Sequence, residues 1–208
     1  MMLRILSYAS VLAIVMMAIA HAAPQPASAP ENLQPPSAFN GIKDRNERSI
    51  ALLIEAGKVI NSPRCLNCHP ALRSPTQGND LHVHNPPINA GESGMGKPGL
   101  FCIACHQAKN TSAPGTKFQS IPGHEHWSLA PQSMAWQGKT LGEICQQLKD
   151  TSRNGNRNLQ QISEHMGKDT LVGWAWHPGP GRTPAPGTQD AFGKLIQAWI
   201  DNGAACPR

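Results

Sequence analysis

One pattern occurs twice in this chain and constrains it more than any other feature. Arg64-Cys65-Leu66-Asn67-Cys68-His69 recurs as Phe101-Cys102-Ile103-Ala104-Cys105-His106. Each is a Cys-x-x-Cys-His motif, the spacing at which c-type haem is attached. Two thiols separated by two residues can add to the two vinyl groups of one porphyrin. The histidine that follows is carried under the ring, where its imidazole can bind iron. Cys-x-x-Cys alone also serves as a thioredoxin-like redox pair or as half of a zinc site. The redox pair wants a single motif beside a βαβ pattern, and zinc does not require histidine directly after the second cysteine. Two copies, both with histidine, predict two covalently bound haem c. Cys65, Cys68, Cys102 and Cys105 are then the attachment points, with His69 and His106 as proximal ligands.

Residues 1–22 read as a secretory signal peptide. Arg4 supplies the positive end, Ile5 to Ile19 is a short apolar run, and Ala20-His21-Ala22 forms an A-x-A cleavage site. The run is shorter than the roughly 20 residues of a spanning helix. No cysteine precedes Cys65 to carry an N-terminal lipid, and no later stretch is apolar enough to cross a bilayer. The expectation is an exported chain without a transmembrane anchor, cleaved after Ala22 and placed in a bacterial periplasm, which also tolerates disulfides. Losing Arg4 lowers the formal charge from +5 to +4. Haem propionates and ferric cores would bring the oxidised form to about +2, so the basic balance misleads. Lys and Arg are scattered rather than gathered on one stripe, which excludes a nucleic-acid partner.

From 23 to about 44 the chain reads as a Pro-rich flexible segment, with Pro24, Pro26, Pro30, Pro35 and Pro36 among small polar residues. Residues 45–208 are then one domain holding both haems. The motifs start 37 positions apart, too close for each to sit in a single-haem domain with its own core. A helix is expected from about Asp44 to Asn61, with Ile50, Leu53 and Ile54 on its inner face and Pro63 as its stop. Between the motifs, Pro75, Gly78, Pro86, Pro87, Gly91, Gly94, Gly96, Pro98 and Gly99 predict loops around porphyrin edges. Gly91 to Gly99 lacks the strand and helix that a phosphate-binding loop needs.

The second half is more regular. Thr140 and Glu143 form a capping-box pattern ahead of Leu141, Ile144, Cys145 and Leu148. Asn158 can cap a helix carrying Leu159, Ile162 and Met166, with His165 one residue from that line. A last helix is expected from Gln189 to Asn202 through Phe192, Leu195, Ile196 and Trp199, ended by Gly203. Trp174 to Gly187 reads as a long Pro/Gly-rich covering loop. The fold class expected is mainly α with long irregular loops, a single dihaem cytochrome c-type domain. Cys145 and Cys206 remain outside the motifs and are expected to pair as a disulfide.

Each iron needs a sixth ligand. The candidates are His82, His84, His124, His126, His165 and His177, with Met95, Met134 and Met166. Any one histidine taken alone is more often a surface or hydrogen-bonded residue; the pairs 82/84 and 124/126 offer an alternative zinc or copper site, but haem iron is a demand already present.

Two runs, Trp127-Ser128-Leu129-Ala130-Pro131-Gln132-Ser133-Met134-Ala135-Trp136 and Leu141 to Asp150, resemble bacterial exported dihaem c-type proteins. His165-Met166 and Leu171-Val172-Gly173-Trp174-Ala175-Trp176 belong to the same resemblance, which runs from about Glu47. Members often carry the label of an isoquinoline 1-oxidoreductase subunit, which implies an electron-transfer partner of a molybdenum hydroxylase. The resemblance adds weight to His84, Met134 and His165. His84 and His165 are the expected distal ligands and Met134 their competitor, with neither assigned to a particular haem.

Two functional classes compete. An electron carrier would have two closed irons exchanging electrons with a redox protein partner, either a donor dehydrogenase or a terminal acceptor. Tryptophans 127, 136, 174, 176 and 199 would pack on porphyrin or simply fill a core. Arg182 would pair with a propionate or sit in solvent. A dihaem enzyme, a peroxidase or small-substrate oxidoreductase, would keep one iron open beside an acid–base group such as Glu125. A sensing or structural role is a third class. The spare histidines favour the carrier.

Overall fold

The computed structural model describes residues 32–208. The expected signal peptide lies outside the described residues. The secondary structure described is mainly α, with six α-helices and three two-stranded antiparallel ribbons. No helix among the described residues is long and apolar enough to cross a membrane.

Helix α1 (Arg45–Ile60) starts where Asp44 turns out of helical conformation and accepts the Glu47 N–H at 2.8 Å. That bond satisfies one of the free amides of the first turn. Pro63 does more than stop it. Proline lacks only an N–H that the first helical turn does not use, so α2 (Pro63–Cys68) begins on that residue and carries the first motif. The buried face of α1 is Ser49, Leu52, Leu53, Ala56, Val59 and Ile60, whereas Ile54 points outward. Large aliphatic side chains stand all round residues 50–54, so the sequence left the face ambiguous by about one position.

Helices α3 (Leu141–Lys149) and α4 (Leu159–Lys168) both open on capping boxes, Thr140 with Glu143 and Asn158 with Gln161. A single turn, α5 (Thr170–Gly173), follows α4. Helix α6 (Gln189–Asp201) buries Phe192, Leu195, Ile196 and Trp199. It crosses α4 at two glycines: a Cβ on Gly193 would lie 2.7 Å from the Gly167 Cα. Neither helix could approach so closely with a side chain there. The tail folds back: Trp199 Nε1 donates to the Ala205 carbonyl at 2.9 Å. Cys206 forms a disulfide with Cys145, joining the tail to α3 across 61 positions.

The expected flexible segment is fastened where it is described. Leu33 and Phe39 pack against the core, and the Gln34 N–H donates to Glu55 at 2.8 Å.

The stretch between α2 and α3 holds the ribbons β1 (Thr76–Gln77) with β2 (His82–Val83), β3 (Gly96–Lys97) with β4 (Leu100–Phe101), and β5 (Thr111–Ala113) with β6 (Gln119–Ile121). The second motif follows β4 directly. Side chains bridge the loops in place of a core. Arg73 donates to the carbonyls of Gly91 and Ala130, and Gln137 donates to Leu66 and Thr76. The covering loop after α5 reaches over to this region, where Arg182 donates to the Ser120 hydroxyl and carbonyl.

Candidate functional site

A helix brings residues three apart onto one face, so α2 presents the Cys65 and Cys68 thiols together. His69 is the C-cap, its N–H donating to the Cys65 carbonyl at 3.0 Å. Its Nδ1 lies 2.7 Å from the Met134 carbonyl. A carbonyl can only accept, so Nδ1 carries the proton and Nε2 keeps its lone pair. The ring stacks on Trp136, centres 3.5 Å apart and planes 7° from parallel. Burial, with a smaller push from the nearby His165, holds His69 down at about 4, so the imidazole is neutral at pH 7.

The second motif repeats this on a different element. Cys102–Ala104 is a single 3₁₀ turn, yet the His106 N–H still donates to the Cys102 carbonyl, at 2.9 Å. His106 Nδ1 donates to the Pro122 carbonyl at 2.8 Å, and the ring stacks on Trp127 with centres 4.7 Å apart and planes 9° from parallel. Burial again holds its value at about 4, with His84 and Arg182 adding to the effect. The carbonyl is placed by a close backbone approach. A Cβ on Gly123, next to Pro122, would lie 2.1 Å from the Lys109 carbonyl oxygen, and its N–H donates to Asn110 at 3.0 Å. Asn110 also accepts the Trp174 indole N–H at 2.8 Å, and Trp174 meets Trp127 edge to face.

Both motifs open onto one cavity of about 230 Å³, whose wall includes Cys68 from the first and Cys102, Cys105 and His106 from the second. Two arginines also line it. Arg64, only 2% exposed, donates to the Gly78 carbonyl and to Asn79, while its Nε has no hydrogen-bond partner among the described residues. Arg182 is close enough that the two positive charges repel; with burial as the larger cause, Arg64 is lowered to about 10. Among the described residues, no carboxylate pairs with either guanidinium.

The four motif cysteines are unpaired. Burial pushes the Cys65 thiol up to about 12 and Cys68 up to about 11. A thioredoxin-like pair needs the opposite, a stabilised thiolate, and the described strands form no βαβ unit. Among the described residues no three His, Cys, Asp or Glu side chains converge as a metal-ion site.

The remaining candidates separate by what their ring nitrogens do. His82 uses both, on Asp80 and Gln77, and His124 uses both, on Thr170 and the His126 N–H. His126 and His177 are exposed. His84 donates Nδ1 to the Pro86 carbonyl at 2.8 Å, and His165 uses Nδ1 on Asp169 at 3.0 Å. For both, Nε2 has no hydrogen-bond partner among the described residues. Met95 is exposed, Met134 and Met166 are buried in the helical core, and exposed Glu125 does not line the cavity.

Sequence reasoning did not find the two acceptor carbonyls, Asn110 or Asp169. A backbone carbonyl leaves no trace in residue identity, and no spacing singles out Asn110. Asp169 was within reach, since it stands four positions after His165 at a helix end.

No family model, curated protein or solved structure matches this chain.

Proposed function

We propose that the chain is an exported dihaem c-type cytochrome that transfers electrons, acting as partner or subunit of an oxidoreductase. The observation that carries this reading is the repeated histidine arrangement. On two unrelated local structures, the motif histidine is neutral, anchored through Nδ1 to a carbonyl, stacked on an indole and left with a free Nε2. That is how a metal-binding imidazole is prepared: the outer hydrogen bond fixes tautomer and orientation. A histidine serving only as core filler has no need of it.

The surroundings fit the cofactor as well. Two half-buried or buried guanidiniums without carboxylate partners suit the propionates of a porphyrin, and the buried Trp136 indole N–H also lacks an acceptor. Haem at these thiols would supply one-electron exchange at iron. The chain's own residues would fix the imidazoles, neutralise the propionates and keep water from the porphyrin faces. The redox partner on this reading is a donor dehydrogenase or a terminal acceptor, and export places the exchange in the periplasm.

Expression of the full chain with its leader and a haem-attachment apparatus tests this. The expected product is red, carries two haems per chain by pyridine haemochrome assay, and loses one of them in Cys65→Ala/Cys68→Ala. A colourless product of bare-chain mass would overturn the reading.

A further inference from the structure

Resting on that reading, we propose that the iron at the second motif is closed by histidine, with His84 opposite His106. His84 and His106 face each other across the shared cavity with ring centres 5.9 Å apart. A transition metal held by two opposed imidazole nitrogens at about 2 Å each sets their ring centres roughly 6 Å apart. Each ring is tied through Nδ1 to a carbonyl, Pro86 for His84 and Pro122 for His106. Both free nitrogens are therefore Nε2, the atoms a shared iron requires.

At the first motif Met134, the competitor, is on the wrong side. Its carbonyl sits at the Nδ1 edge of His69, while iron binds at Nε2. A side chain of three rotatable bonds cannot pass round the imidazole and across a porphyrin to the distal face. Its position in the helical core is that of a packing residue.

Electron paramagnetic resonance and absorption spectra of the oxidised holoprotein test the assignment. The expected native spectrum contains a low-spin iron with two nitrogen ligands, giving no sulfur-to-iron near-infrared band and no response to cyanide. His84→Ala should convert that signal to high-spin, and added imidazole should restore it. His126→Ala should leave it low-spin. Rescue by imidazole separates lost ligation from lost folding. A native protein in which no iron has two nitrogen ligands, or a His84→Ala variant whose spectrum is unchanged, would overturn the pairing while leaving a two-haem protein intact. A product without haem would overturn the underlying reading instead.

Discussion

His69 and Trp136 lie face to face, ring centres 3.5 Å apart and planes 7° from parallel. The indole fixes the plane of the imidazole while the Met134 carbonyl fixes its rotation about that plane. Trp136 is also 4% exposed and part of the helical core. Trp136→Ala is therefore expected to cost about 3–5 kcal/mol, measured as a shifted urea midpoint. Trp136→Phe should recover most of that, because a flat ring remains. Trp127→Ala should cost less, since Trp127 is only partly buried.

Asp169 holds His165 through Oδ2 and caps α5 through Oδ1. A carboxylate on the outer nitrogen makes an imidazole a stronger donor, which favours ferric iron. With His165 as the distal ligand that the sequence leads us to expect, Asp169→Asn should raise one of two reduction potentials by roughly 60 mV, a tenfold change for a one-electron couple. The other potential should stay in place. Spectroelectrochemical titration reads both, and an equal rise in both would argue for a general structural effect.

The disulfide between Cys145 and Cys206 closes a loop over a sequence separation of 61. In the chain-entropy model this contributes about 4 kcal/mol. The double variant Cys145→Ala/Cys206→Ala should lose stability on that scale while keeping both haems, because neither thiol belongs to a motif. Denaturant curves and haem content together check it.

Gly167 and Gly193 let α4 and α6 touch backbone to backbone. Gly193→Ala should force the helices apart and cost about 1–3 kcal/mol by overpacking, read from the urea midpoint.

Acid should weaken the fold in a defined window. Burial keeps His69 and His106 neutral, with values near 4 against the ordinary 6.5. Below 6.5 the unfolded chain therefore binds protons that the folded chain refuses, and stability falls with pH. Without metal, the loss should run from about pH 6.5 to about 4 and then level off. Iron on Nε2 would move it to lower pH. Urea midpoints across that range, for holoprotein and haem-free chain, distinguish the two.

Much of the helical half was legible because its signals are local. Asp44, Thr140 and Asn158 announce their helices, and the 3.6-residue stripe of α6 fits only one face. Cys145 and Cys206 followed from setting aside the motif cysteines. The loop half resisted because its order is made of long-range hydrogen bonds, such as Arg182 to Ser120 and Arg73 to Ala130, that carry no periodicity. For the same reason the resemblance pointed to His84 and His165 without saying which motif each faces. For His84 that depends on how the residues around the hairpin at 76–83 come to rest against the cavity.

The ribbons have only two or three residues per strand. Elements this short do not persist alone in water. On the proposed reading, residues 69–140 take their final shape from the pigment stitched to them, so synthesis of the cofactor links and acquisition of tertiary order are one event. Defects in this half would then appear in a cell as pale, rapidly degraded protein, whereas defects in the helices would appear as coloured protein that melts early.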